Sequence, residues 1–214
     1  MPKLKQLVIF IFATVSLFAN DFDLAIEDYE KGNYIKALNT FYMLAKDDDA
    51  KAQYNVGYIY ANGLGVEKNL MLAQQWYEKA AKQGNGAAQY NLAQLYQEEG
   101  QKDKHAYEKA KYWYEKAIEA EIKDAYTNLG VLYLEGLGVE KNQQKALSLF
   151  AQGASLGDGA AQVNMAVLYA WGENVTHDKM KAYEYLKKAL QSGQNQAGEY
   201  LDLLCKESAW VCKN

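Results

Sequence analysis

The hexapeptide Ala52-Gln53-Tyr54-Asn55-Val56-Gly57 returns with substitutions at Ala88–Ala93, Ala125–Gly130 and Ala161–Ala166, so Asn55, Asn91, Asn128 and Asn164 are spaced 36, 37 and 36 residues apart. A fixed period of this length constrains the fold more than any other feature, because a chain of recurring units buries its apolar surface by stacking copies. Five residues after each Asn stands Tyr60, Tyr96, Tyr133 or Tyr169, and Ala73, Ala110, Ala146 and Ala182 open a second apolar pattern. Each period therefore has two halves. In the first, Ala52, Val56 and Tyr60 recur at i, i+4 and i+8, with Gly57 one place over, which puts small and apolar groups on one face of a helix. In the second, Ala73, Trp76, Tyr77, Ala80 and Ala81 share a face, while Gln74, Gln75, Glu78 and Lys79 fall mostly opposite. About eight residues separate the halves, so helix A and helix B of one unit are antiparallel neighbours.

Between each helix B and the next helix A, Gly84-Asn85-Gly86, Gly157-Asp158-Gly159 and Gly193-Gln194-Asn195 pair a C-terminal Gly with a candidate N-cap. The single proline is Pro2 and interrupts no helix, and no run alternates with period two. The expectation is an all-α solenoid. The heptad Gly63–Asn69 recurs letter for letter at Gly136–Asn142. As a phosphate loop it would need a following Gly-Lys-Ser/Thr, or a strand before it and a helix directly after, and it has neither. It predicts a turn between A and B, in which Gly63 and Gly65, or Gly136 and Gly138, take positive φ. Val66 or Val139 then packs inward, and Asn69 or Asn142 caps helix B.

Residues 50–194, with Gly63-Leu64-Gly65-Val66 followed by Trp76-Tyr77-Glu78-Lys79-Ala80-Ala81, resemble the Sel-one-like repeat (SLR) family, a relative of the tetratricopeptide repeats. The resemblance implies a right-handed α-solenoid of antiparallel helix pairs, with repeats at 50–85, 86–122, 123–158 and 159–194. Residues 20–49, with Tyr29, Gly32, Tyr34, Ala37 and Phe41, look like a tetratricopeptide-style capping pair. Residues 195–214, with Tyr200 and Leu201, supply a last capping helix. Two A-to-B loops depart from the pattern, at Gly100–Ala106 and Trp171–Val175.

At the N-terminus, Lys3 and Lys5 precede an apolar run from Leu7 to Phe18, which predicts a secretory signal peptide over residues 1–19. The run falls short of the roughly 20 residues a spanning helix needs, a retained anchor being the alternative. No Cys follows it, which argues against a lipid anchor. The expected location is bacterial periplasm or secretion, with no stable membrane insertion once the signal is removed. Without Lys3 and Lys5, 21 Lys face 27 acidic residues, and the chain has no Arg. Such a chain lacks both the positive field and the guanidinium fork that nucleic acid requires. Protein partners are expected, with no nucleic acid and no cofactor, on a monomer.

Catalytic sets are hard to find. Of the four Ser beyond the signal, Ser148, Ser155, Ser192 and Ser208, none has a Lys three places later. That weakens the main rival reading, a β-lactamase-like or penicillin-binding hydrolase of the kind described among cysteine-rich relatives. His105 and His177 lie in loops of different units without His or Cys partners at zinc spacing. Cys205 and Cys212 are the two cysteines, and an even pair in an exported chain favours a disulfide over a redox pair. Seven helical residues would hold them about 10.5 Å apart, so bonding requires the chain to leave the helix near Glu207-Ser208. The resulting loop is expected to pin the C-terminal cap under Trp210.

The remaining candidates are for recognition. Asn55, Asn91, Asn128 and Asn164 form a ladder, and an amide offers two donors and an acceptor to an extended peptide. By resemblance, tetratricopeptide domains expose this position in a concave groove; the alternative is that these amides bond neighbouring helices. Tyr54, Tyr58 and Tyr90 stand off the core series through Tyr60 and point towards the same groove, joined by Gln94 and Trp171. Binding of a protein partner on this face is the expected function, with structural scaffolding of the envelope as a further reading. On this view Asn91→Ala with Tyr90→Ala removes binding and leaves thermal stability nearly unchanged. Relatives of this architecture serve as periplasmic regulators, envelope adaptors, host-interaction factors and immunity proteins.

Overall fold

A computed structural model describes residues 21–213, so the predicted signal peptide lies outside the described residues. Among these residues the regular structure is eleven helices with no strand. Helix α1 covers 21–30. It is followed by α2 (Tyr34–Lys46), α3 (Ala50–Asn62), α4 (Leu70–Lys82), α5 (Gly86–Glu99) and α6 (Ala106–Glu119), then α7 (Asp124–Glu135), α8 (Gln143–Ser155), α9 (Gly159–Trp171), α10 (Lys179–Gln191) and α11 (Gln196–Glu207). The fold is an α-solenoid of helix pairs, in which α3, α5, α7 and α9 are the helices A and α4, α6, α8 and α10 the helices B. The described residues fall into two compact units that divide within α5, between Leu95 and Tyr96.

The turns follow from local chemistry. Gly63 and Gly65 have φ of 66° and 68°, and Gly136 and Gly138 have 73° and 66°, a region that costs a residue with a Cβ about 1 kcal/mol or more. The same heptad then caps the next helix: Asn69 accepts from the Leu72 amide at 3.0 Å and Asn142 from the Lys145 amide at 2.8 Å. At the B-to-A turns, Asn85 accepts from the Ala88 amide and Asp158 from the Ala160 amide, each at 2.9 Å. Asn195 departs from its expected role. Its backbone is already helical and its side chain makes no capping bond, so α11 starts uncapped.

In the first unit α3 packs between α2 and α4. Ala37, Phe41, Ala52, Val56, Ile59 and Trp76 form its core. A Cβ on Gly57 would lie 2.7 Å from the Tyr77 ring, so the small residue is what admits that ring between the helices. Gln53 is buried, donates to the Ala45 carbonyl at 3.2 Å and accepts from Gln83 at 2.9 Å. Gln89 donates in the same way to the Ala81 carbonyl at 3.1 Å. Each Gln thus ties the start of a helix A to the last turn of the helix B before it, where carbonyls lack helical partners.

In the second unit consecutive helices pack from α6 to α11. Phe150, Met165 and Leu168 make one core cluster, and Leu186, Leu204 and Val211 belong to the next. The divergent loop after α9 still ends in the family's way, with Asp178 accepting from the Lys181 amide at 3.0 Å. Helix α11 stops at Glu207, between the two cysteines, which brings their Cα atoms to 5.7 Å and places Cys205 and Cys212 at disulfide distance. Val211 is fully buried and Trp210 is 61% exposed, so Val211 and not Trp210 seals this end of the core.

Candidate functional site

The four ladder residues are all half-buried, yet their amides do different things. Fourteen residues before them stand Phe41, Tyr77, Tyr114 and Phe150. Where that residue is Tyr, the amide bonds its hydroxyl: Asn91 holds both Tyr77 and Tyr54, and Asn128 donates to Tyr114 at 3.2 Å. Tyr114 in turn donates to Gln97 at 2.7 Å. Where it is Phe, no hydroxyl is on offer. Asn55 turns back to the Lys51 carbonyl of its own helix at 2.9 Å, and Asn164 makes no side-chain hydrogen bond among the described residues. Packing between helices and availability to a partner are therefore divided among the copies.

Around Asn91 the first unit carries a continuous array of tyrosines. The ring of Tyr34 meets Tyr29 at 5.4 Å, Tyr29 meets Tyr58 at 6.4 Å, Tyr58 meets Tyr54 at 6.1 Å, and Tyr54 meets Tyr77 at 5.8 Å. The edge-to-face contacts at Tyr29 and the tilted ones at Tyr54 suit the ring quadrupole. Burial pushes the hydroxyls of Tyr29, Tyr54 and Tyr77 to higher pKa, most of all Tyr77, whose residue is 2% exposed; the Asn91 amide pulls Tyr54 and Tyr77 part of the way back. Tyr29, Tyr34, Tyr54 and Tyr58 remain half-exposed. Tyr90 and Gln94 continue the surface on α5, with Gln94 donating to the Tyr90 hydroxyl at 3.2 Å. Of the residues singled out by sequence, Tyr54, Asn55, Tyr58, Tyr90, Asn91 and Gln94 lie in this unit. Tyr29 and Tyr34, which sequence reasoning named only as part of the capping pair, and Tyr77, which it placed on the apolar face of helix B, are the members it missed. The Phe, Tyr, Tyr, Phe series before each Asn is the signal that could have pointed to Tyr77.

Asn128, Asn164 and Trp171 belong to the second unit. Trp171 is already engaged, donating from Nε1 to Glu207 at 2.8 Å and lying 6.2 Å from the Tyr200 ring. One face of it borders a cleft of about 240 Å³ lined by Leu134, Glu135, Lys141 and Gly172.

Among the described residues no group of three or more His, Cys, Asp and Glu is placed to hold a metal ion. One serine does meet a lysine: Lys179 donates to Ser208 Oγ at 2.6 Å. Ser208 is buried at the end of α11 and does not line the cleft beside Trp171, so the contact fastens α10 to the C-terminal turn. No described helix is long and apolar enough to cross a membrane.

With this geometry in hand, comparison with known proteins is direct. Residues 50–85, 86–121, 123–158 and 159–194 each match the Sel1 repeat. The chain is similar to a Sel1 repeat protein from Oxalobacter formigenes, with 35% identity, a TM-score of 0.72, and coverage of 83% of this chain and 73% of that one. It is similar also to c5321, a protective antigen of uropathogenic Escherichia coli with an SLR fold, at 30% identity and a TM-score of 0.83 over 92% of this chain and 43% of that one. A 51-residue stretch is 41% identical to HRD3 of Candida glabrata, a component of an ERAD-associated E3 ubiquitin ligase, covering 24% of this chain. This chain spans 11% and 6% of the lengths of the curated relatives it matches. Sel1 repeats are protein–protein interaction modules, typically without catalysis of their own. With four matched repeats making up most of its length, the chain belongs to the Sel1 repeat family.

Proposed function

We propose that this protein is an exported, non-catalytic module that binds a protein partner on its helix A face, with Tyr54, Asn55, Tyr58, Tyr90, Asn91 and Gln94 at the centre of the contact. The observation that carries this reading is the half-exposed tyrosine array of the first unit, bordered by amides. Tyrosine supplies large contact area at low entropic cost, and amides adapt to a partner's backbone. A packed helical scaffold presents these groups already ordered, which lowers the cost of association. Asn55 and Asn164, whose amides make no bond to a second helix, are the ladder members freest to meet a partner.

Export rests on the signal-like N-terminus and on Cys205 and Cys212, whose approach is suited to an oxidising compartment where the pair forms a disulfide. The role is that of an adaptor, regulator or immunity-type protein.

The test is site-specific photocrosslinking in cells of the source bacterium, with benzoylphenylalanine replacing Tyr58 on helix A or Met71 on helix B. A discrete adduct from position 58 that is absent from position 71 is the expected outcome. An adduct from 71 alone overturns the assignment of the face. Fractionation of the same cells reports on export.

A further inference from the structure

Charge is unevenly spread over the helices, and this bears on the chemistry a partner would need. In the first unit, α1 carries Asp21, Asp23, Glu27, Asp28 and Glu30 and no Lys. The α5 residues of that unit carry no charge, and α3 carries Lys51 alone. The cations of α2 and α4 are occupied. Lys36 pairs with Asp28 at 3.0 Å and Lys82 with Glu78 at 2.7 Å. Lys46 lies over the Tyr42 ring at 4.8 Å and Lys79 over Trp76 at 4.2 Å. In the second unit α10 holds Lys179, Lys181, Lys187 and Lys188 against Glu184, and α6 balances three Lys with three Glu, whereas α7 has Asp124 and Glu135 with no cation and α9 has no charge at all.

Three acids on α1 are left over. Glu27 is used by Lys31 and Asp28 by Lys36, but among the described residues Asp21, Asp23 and Glu30 enter no ion pair; Asp23 and Glu30 are the two exposed ones. Asp23 and Glu30 are seven apart, on one stripe of α1, and Glu30 adjoins Tyr29, the residue whose ring touches Tyr58. Helix α1 thus carries carboxylates outside any ion pair among the described residues, together with the half-exposed Tyr29. Carboxylates attract a cation from a distance, and ring faces hold it at contact by cation–π attraction.

We infer that the helix A face of the first unit docks an extended segment rich in Lys and Arg, whose cations lie between Asp23, Glu30 and the rings of Tyr29, Tyr54 and Tyr58. This rests on the helix A reading proposed above and adds the identity of what it recognises. The absence of Arg from the chain itself fits the assignment, since the protein carries no guanidinium of its own to compete for these rings.

An array of random decapeptides tests it, probed with the full mature chain, a Tyr58→Ala, Tyr90→Ala variant and an Asp23→Asn, Glu30→Gln variant. The peptides retained by the wild type and lost by the tyrosine variant are expected to be enriched in Lys and Arg. For those peptides the carboxamide variant, whose substitutions are exposed, binds roughly three- to tenfold more weakly at low salt. Raising the salt to about 0.5 M weakens wild-type binding and leaves the carboxamide variant little changed. If the tyrosine-dependent peptides show no basic enrichment, or an acidic one, the partner chemistry is wrong and the docking face stands. If the tyrosine variant, with its melting temperature unchanged, retains the same peptides as wild type, the face itself is wrong. Retention of no peptide by the wild type overturns both.

Discussion

Replacing Asn91 by Ala separates the structural use of the ladder from its recognition use. Asn91 meets two hydroxyls, and the one on Tyr77 belongs to a buried ring packed against Gly57. Deleting the amide leaves the Tyr77 hydroxyl without its partner, a loss of about 1–3 kcal/mol, while the half-exposed Tyr54 hydroxyl is rehydrated and contributes little. For a chain of this length each kcal/mol lowers the melting temperature by roughly 2–4 °C, so Asn91→Ala is expected to cost about 2–12 °C. This reverses the expectation from sequence that Asn91 is dispensable for stability. The decisive measurement is a double-mutant cycle with Tyr77→Phe, followed by urea unfolding. Phe stands at the equivalent places 41 and 150, so the ring alone is tolerated there. In the Tyr77→Phe background, Asn91→Ala should cost less than about 1 kcal/mol. Asn55→Ala, which breaks only a bond within its own helix, should be nearly neutral. Equal costs for Asn91→Ala with and without the Tyr77 hydroxyl would refute the reasoning.

Further outcomes follow from the same geometry. Burial raises the pKa of Tyr29, Tyr54 and Tyr77, so the folded chain keeps their protons to higher pH than the unfolded chain. Stability from this source is intact below about pH 10 and falls as pH rises above it; helical ellipticity against pH should show alkaline unfolding that Tyr77→Phe moves upward. Gly57→Ala gains helix propensity of about 1 kcal/mol but drives a methyl to 2.7 Å from the Tyr77 ring, and the net result by thermal melting is destabilisation. The Cys205–Cys212 bond would close a short loop, worth about 2–3 kcal/mol on chain-entropy grounds. Free-thiol labelling of the unreduced protein should therefore find neither cysteine, and Cys205→Ser should loosen Val211. Purified mature protein is expected to leave nitrocefin unhydrolysed, since Ser208 is buried.

The periodic features were readable from the chain because they depend on local geometry. Spacing alone placed Asn69 and Asn142 as caps and Gly63, Gly65, Gly136 and Gly138 in left-handed turns, and the structure bears these out. What depends on the neighbouring helix was harder. Tyr77 sits in the apolar series of its own helix and looks like plain core, yet its hydroxyl belongs to Asn91 of the next helix. Gln53 and Gln89 look like surface amides within a helix, and only the preceding turn reveals the carbonyls they satisfy. Trp171 drew attention through a loop that had lost its family sequence, but α11 supplies the Glu207 that engages it. At Asn195, sequence suggested a cap where the chain had already entered its helix. The tyrosine array needed three dimensions outright, since Tyr29, Tyr58 and Tyr77 come from three separate helices.

The bond between Tyr77 and Asn91 joins one repeat to the next, across the boundary at 85 and 86. A cassette excised at that boundary takes the hydroxyl with it and leaves its amide behind. Yet every helix A of the four repeats brings an Asn of its own, whether the preceding ring is Tyr or Phe. The amide therefore works as a common socket and the hydroxyl as an optional plug. Whole periods can be duplicated, deleted or reordered by recombination without stranding a buried hydroxyl, which gives a lineage of such chains an inexpensive way to change length.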